Sequence, residues 1–93
     1  MNTLICKAIE ERRILQFSYK GSMRAAEPHA FGRQKNGTDA FCAWQLSGGS
    51  AEDFRLFHLY EVSDLRLLDE QFEGPRAGYR RGDARFVVMH SQL

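Results

Sequence analysis

The segment EPHAFG, residues 27–32, places a carboxylate and an imidazole on either side of a proline. Proline has no amide donor, so within a sheet it favours an edge strand or a β-bulge. A strand period of two would put four different side chains on one face, namely Glu27, His29, Phe31 and Arg33. We predict that this face forms one wall of a ligand site. The alternatives are an ordinary amphipathic face and a register broken by the proline.

A second group with chemical potential lies in DFRLFH, residues 53–58. Arg55 stands among apolar residues, and its guanidinium suits phosphate or carboxylate; the alternative is an ion-paired structural arginine. His58 can carry charge near neutral pH, although a core histidine bonded to backbone is an equal alternative. Trp44 could stack on a ligand or fill the core. We predict an anion-binding surface with Arg55 as its main contact, formed by Arg55, His58, His29, Arg33 and Trp44.

Arginines are concentrated towards the end of the sequence. Residues 76–85 contain four of them with Asp83 as the only acidic residue, which gives a local charge of +3 in a chain of net charge +1. Glycines in this segment favour mobility, and a mobile segment cannot pre-organise a pocket. We therefore predict a solvated surface strip rather than the primary site, with Arg80 and Arg81 as weaker nucleic-acid contacts.

The cysteines and histidines lack the spacing of an enzyme or a metal site. Cys6 and Cys42 form no CxxC pair, and no nucleophile elbow or oxyanion-forming glycine loop surrounds either. His29, His58 and His90 show no HxH or HxxxH pattern. We predict buried free thiols, no catalysis, no metal and no cofactor. A hydrolase would require a thiol exposed beside a histidine.

Length and composition indicate one ordinary globular domain. The chain has 93 residues, of which 43% are hydrophobic and 27% charged. It has no apolar run of the roughly 18 residues needed to cross a bilayer and no signal-peptide pattern. We predict a cytoplasmic protein without a membrane partner.

Periodicity predicts the elements that position these residues. Apolar residues recur at helical spacing near the start, then alternate with polar residues in successive short segments. We predict a helix over residues 1–13, strands at 14–19, 24–33, 40–46, 53–58, 62–68 and 85–90, and a tight turn at 59–61. Asn36-Gly37 favours a type I′ hairpin. The fold class is mainly β with one N-terminal helix, a small antiparallel barrel in which Ile5, Ile9, Leu15, Phe17, Leu56 and Leu67 are buried.

The order of several motifs resembles the WYL domain family over residues 4–72. The motifs are AIEERRILQFSYKG, EPHAFG, a hairpin into an aromatic strand, FRLFHL and DLRLLDEQF. The namesake triplet is degenerate, because residues 39–41 read Asp-Ala-Phe and Trp44 follows three positions later. Arg55 is retained, while Phe57 and His58 stand where Asp and Arg are usual.

The resemblance implies an Sm-like or SH3-like barrel, with a core at residues 14–72 and a C-terminal extension at residues 73–93. Family members usually accompany a winged-helix domain in bacterial transcription regulators, and the arginine matched by Arg55 lies on a basic surface implicated in binding small ligands or single-stranded nucleic acid. No such domain precedes residue 4, so we expect a stand-alone member. The predicted function is regulatory binding of a nucleotide or single strand, in transcriptional or defence regulation. The alternative is an interaction or oligomerisation subunit that pairs strands with itself or with a separate regulator protein.

Overall fold

The computed structural model describes residues 1–93 and shows a mainly β protein with one N-terminal helix. The elements are α1 Asn2–Glu11, β1 Arg13–Tyr19, β2 Ser22–Gln34, β3 Asp39–Ser47, β4 Asp53–His58, a 3-10 helix at Leu59–Glu61, β5 Val62–Gln71 and β6 Phe86–Gln92. The predicted order of helix, strands and tight turn is confirmed. Neither helix has the length and apolar character that crossing a bilayer requires.

Helix α1 packs one apolar stripe against the sheet. Ile5, Ala8 and Ile9 are buried, in agreement with their helical spacing. The helix ends at Arg12, whose left-handed conformation (φ 54°) turns the chain directly into β1, while its N–H bonds to Ala8 and Ile9 carbonyls. The short connection places the helix over β1 and β2 and makes it part of the main core.

The strands form one antiparallel sheet in the order β4-β3-β2-β1-β5. β2 is the long central strand: its first half pairs with β1, its second half pairs with β6, and β3 follows its other edge. The two end strands, β4 and β5, do not pair with each other. The sheet is therefore strongly bent and barrel-like, but hydrogen bonds do not close it.

A β-bulge lies at the predicted proline. Pro28 pairs with Ala43 and Ala30 pairs with Cys42, so the intervening His29 is an extra residue on β2. The bulge prediction is confirmed, but β2 is an interior strand of the sheet rather than an edge strand.

The bulge also divides the predicted four-residue face. Glu27 and His29 lie on the outer face of the sheet, whereas Phe31 belongs to the main core on the inner face. Arg33 follows the inner register of Phe31 and pairs with Asp39 at 3.7 Å. The prediction of one continuous wall is wrong, because the extra residue reverses the alternation of side chains between the two halves of the strand.

Two hydrophobic clusters occupy the two faces. The main core fills the inner face with helix and strand residues, among them four rings in mutual contact: Phe17, Tyr19, Phe41 and Phe57. A smaller cluster on the outer face contains Ala30, Ala40, Cys42 and Phe86, with Phe54 and Leu56 packed against it. Ile5, Ile9, Leu15 and Phe17 are buried as predicted, whereas Leu56 and Leu67 are only half-buried.

The loop between β2 and β3 is not the predicted type I′ turn. That turn needs positive φ at both central residues, but only Gly37 has it, at 88°. The Gly37 N–H donates to the Gln34 carbonyl at 2.9 Å, and Asn36 Oδ1 accepts from the Thr38 N–H at 3.0 Å. The Asn36 side chain thus stabilises a longer loop in which glycine alone is left-handed.

Candidate functional site

The segment between β5 and β6, residues 72–85, crosses the outer face of the sheet, and we call it the strap. Its first anchor is the pair between Arg76 and Glu27. Arg76 Nε and Nη2 donate to the two Glu27 carboxylate oxygens at 2.8 and 2.9 Å. Glu27 is buried, and the same guanidinium lies 5.2 Å from the centre of the Trp44 ring. This bidentate pair fixes the strap over β2 and β3.

His29 is the second anchor of the strap. Its side chain is completely buried between the rings of Phe54, Phe72 and Tyr79. Nδ1 donates to the Glu27 carbonyl at 2.7 Å, and Nε2 accepts from the Arg76 N–H at 3.0 Å. Burial lowers the pKa of His29, because desolvation disfavours the charged ring. Both nitrogens are occupied, so His29 cannot contact a surface ligand as predicted.

Trp44 is likewise part of the anchoring layer. Its ring meets the Phe54 ring edge-on at 5.1 Å and carries the Arg76 guanidinium. Arg76 therefore already occupies the stacking position on Trp44 that was predicted for a ligand. Of the five predicted ligand residues, only His29 and Trp44 are brought into one cluster, and there they hold the strap.

Arg55, His58 and Arg33 lie apart from this cluster and from one another. Arg55 shares the inner side of β4 with Phe57, whereas His58 lies on the outer side, near Gln34 at 3.2 Å and stacked on Tyr60. The side chain of Arg55 is 36% exposed, and its one ion pair, with Asp53, spans 4.0 Å. The predicted surface centred on Arg55 is not formed, because alternation along β4 separates its two basic residues.

A cleft of about 420 Å³ opens between the outer face and the second half of the strap. Its floor and walls are Cys42, Phe54, Gly78, Tyr79, Arg80, Arg81, Gly82, Asp83, Ala84 and Arg85. The volume is in the range of small-molecule sites. The cleft combines an apolar floor with three guanidinium groups. Most of its lining residues belong to the segment that was predicted to be a solvated surface strip.

The strap is held in place despite its glycines. The Tyr79 hydroxyl lies 3.3 Å from the backbone oxygens of both His29 and Leu93, and the Gly82 N–H donates to Gln92 Oε1 at 2.9 Å. Together with the two anchors on β2, these bonds tie the strap to the middle of β2 and to the adjoining end of β6. Side chains distant in sequence therefore give this segment contacts that its glycines alone did not predict.

The charges of the cleft are only partly neutralised. Arg85 Nη2 and Asp83 Oδ2 form a 2.6 Å pair, and the hydrogen bond from Arg85 lowers the pKa of Asp83. Arg81 Nε donates at 3.0 Å to an oxygen of Leu93, the last residue of the sequence, while no Asp or Glu side chain pairs with Arg81 and its two Nη groups have no hydrogen-bond partner. Arg80 is exposed and has neither an ion pair nor a side-chain hydrogen bond. Arg80 and the Nη groups of Arg81 are therefore open to an anion.

Cys42 lies at the floor of the cleft as a buried thiol. Burial raises its pKa, an effect that Arg85, with Nη2 3.7 Å from Sγ, partly offsets. Both cysteines are free, and Cys6 is half-buried on α1. No histidine bonds to Cys42, so the nucleophile and base of a hydrolase are not assembled there.

A second and larger depression, of about 620 Å³, is lined by Glu27 and by the first part of the strap up to Arg76. Glu27 and Glu73 supply its carboxylates, and its one basic residue is already paired with Glu27. This depression therefore offers an anion no free positive group. The smaller arginine-lined cleft is therefore the better candidate site. The feature of the sequence that indicates it is the cluster of arginines in residues 76–85.

Comparisons of the chain with protein-family models, curated proteins and solved structures found no match. The arrangement of the strap and the cleft is thus the basis for inferring a function. Phe54, Tyr79 and Arg85 were not among the residues predicted for the site, since they become neighbours only when the strap folds back on β3 and β4.

Proposed function

We propose that this protein is a WYL-like regulatory module that binds an anionic ligand with a planar base, either a nucleotide or a short stretch of single-stranded nucleic acid. The observation that carries the proposal is the cleft, where the guanidinium groups of Arg80 and Arg81, which pair with no Asp or Glu side chain, stand beside Phe54 and Tyr79. The module would act in the cytoplasm, in transcriptional or defence regulation, as the resemblance of its motifs implies.

Phosphate and base each have a complementary group in the cleft. Arg80 and Arg81 can donate in the planar, two-pronged geometry that phosphate oxygens accept. Phe54 and Tyr79 provide ring faces or edges at the floor, and stacking on an aromatic ring contributes about 1 to 3 kcal/mol per base. Asp83 does not repel the anion strongly, because Arg85 neutralises it. An anion without a planar base would use only the guanidinium groups, and an apolar ligand without charge would use only the aromatic rings.

The first prediction tests the cleft with single-charge substitutions. Arg80→Ala should weaken binding of a fluorescein-labelled oligothymidylate about tenfold, the loss expected for one charge-assisted contact. Arg55→Ala is the matched control, since it removes the same charge from the opposite face of β4. Fluorescence anisotropy with the oligonucleotide and with mononucleotides measures both. A larger loss in Arg55→Ala than in Arg80→Ala would contradict the assignment of the cleft and favour the surface predicted from the sequence.

A second candidate function is protein interaction through sheet edges. Its specific support is that β4 and β5, at the two ends of the sheet, each leave one edge without a partner strand. In addition, Val87 and Val88 on β6 are exposed, at 60% and 44%. An unpaired edge can accept a strand from another chain. Light scattering after size-exclusion chromatography distinguishes the candidates: a stable oligomer without oligonucleotide binding would favour this second function.

A further inference from the structure

His29 joins the strap to the sheet through one hydrogen bond that depends on its protonation state. Nδ1 uses its proton to bond the Glu27 carbonyl, so Nε2 carries a lone pair that accepts from the Arg76 N–H at 3.0 Å. The ring also stacks on Phe72, at a 10° angle between the planes. Only neutral imidazole can satisfy both partners, because a protonated ring has two donors and no acceptor.

The surroundings of His29 oppose its protonation. The His29 ring packs against three rings of β4 and the strap, those of Phe54, Phe72 and Tyr79. The charged groups that face His29 are Glu27 and Arg76. Burial is the largest cause of its lowered pKa, Arg76 acts in the same direction, and Glu27 opposes both. A proton on Nε2 would replace an attraction to the Arg76 N–H with repulsion between two donors.

We propose that His29 is a proton-sensitive latch, which docks the strap on the outer face when neutral and releases it when protonated, and thereby regulates the arginine cleft. The regulatory part rests on the proposed function, because the strap supplies Arg80 and Arg81 to the ligand. The docked state is favoured fully above the ordinary histidine pKa of 6.5. It loses stability as pH falls below that value towards the lowered pKa, since the released ring binds the proton more tightly.

Trp44 provides a probe of docking that does not need a ligand. It is the one tryptophan of the chain, and Arg76 of the docked strap lies 5.2 Å from its ring. In the wild-type protein, Trp44 fluorescence should change in a transition below pH 6.5. The transition should disappear in His29→Gln, which keeps a donor and an acceptor but does not titrate, and should persist in His90→Gln, the matched control. An unchanged transition in His29→Gln would overturn the latch.

Oligothymidylate binding tests the regulatory part, because thymine does not titrate in this range. Acidification generally adds positive charge to a protein and strengthens its attraction to an anion. The latch predicts the opposite sign: affinity should fall about fivefold between neutral pH and about pH 5, the equivalent of one lost hydrogen bond, and His29→Gln should abolish the fall. Affinity that rises in the wild-type protein on acidification would overturn the regulation.

The two parts of the proposal fail separately. If oligothymidylate does not bind at neutral pH, the proposed function fails, while the Trp44 transition still tests the latch. If His29→Gln does not fold, nuclear magnetic resonance on the wild-type protein replaces it. The His29 ring and the Arg76 amide should then follow the same titration curve below pH 6.5. An Arg76 amide that does not follow the His29 ring would overturn the latch.

Discussion

Glu27 and Arg76 form a bidentate ion pair although they stand 49 positions apart in the sequence. The carboxylate is buried, whereas the Arg76 side chain is 41% exposed, so water screens part of their attraction. The pair matters because a carboxylate that is buried away from solvent requires a partner, and Arg76 of the strap is that partner. A residue that the sequence placed on a ligand wall is therefore an anchor of the strap in the fold.

Substitution of this carboxylate is a test at the scale of the residue. Glu27→Gln should lower the free energy of unfolding by about 1 to 2 kcal/mol, because the charge-assisted bonds to Arg76 become weaker and one amide N–H faces a guanidinium donor. Urea unfolding measures the change. Glu70→Gln is the control, since Glu70 is exposed on β5 without an ion pair. Equal stability of the two variants would show that the Glu27 pair does not stabilise the fold.

At the scale of the element, β2 positions the residues that anchor the strap. Its bulge sends Glu27 and His29 to the outer face, and its second half pairs with β6, the strand to which the strap returns. Gly32 permits this pairing, because a Cβ at that position would collide with the Val88 carbonyl and approach the Phe86 ring at 3.1 Å. The close approach of the two strands requires the absence of a side chain.

Gly32→Ala should therefore separate β6 from β2. We expect a loss of about 2 to 3 kcal/mol in the free energy of unfolding, the upper part of the range of about 1 to 3 kcal/mol for overpacking, because here the backbone must move. Hydrogen exchange should speed up for the amides of β6 more than for those of β1. Val87→Ala, at an exposed position of the same strand, serves as control and should leave exchange in β6 nearly unchanged. Uniform acceleration across the sheet would argue against a local effect.

At the scale of the whole molecule, the fold concentrates positive charge in one place, although the net charge of the chain is small. The net charge is only +1, yet Arg80 and Arg81 lie together on one cleft without Asp or Glu partners. Glu27 and Asp83 are each already bonded to an arginine, so neither cancels these two charges. A protein of nearly neutral composition can thus present a local anion site, and its interaction with phosphate should depend on few contacts.

The number of contacts can be read from the dependence of binding on salt. Each phosphate contact on a single strand contributes about −0.7 to the slope of log K against log salt concentration, so two contacts should give about −1.4 for oligothymidylate. The slope should fall to about −0.7 in Arg80→Ala and stay near −1.4 in Arg55→Ala. Anisotropy titrations at several salt concentrations measure it. A slope near zero in the wild-type protein would exclude phosphate contacts as the basis of binding.

Local patterns in the sequence determined the elements of this protein. The helical spacing of Ile5, Ala8 and Ile9, and the alternation through β1 and β4, depend on neighbours within a few residues. These patterns specify which face of an element is apolar before any distant contact forms. The helix, the order of strands, the bulge at Pro28 and the antiparallel fold class could accordingly be predicted without the structure.

Only the tertiary structure decided the composition of the site. Periodicity cannot reveal that the extra residue at the bulge turns His29 away from Phe31, or that Arg76 bonds to Glu27 and His29 from 49 and 47 positions away. Such contacts depend on the path of the strap across the outer face, and no local pattern encodes that path. The same chain folding that buried His29 also made the arginine segment into the wall of a cleft, because its anchors restrain glycines that would otherwise leave it mobile.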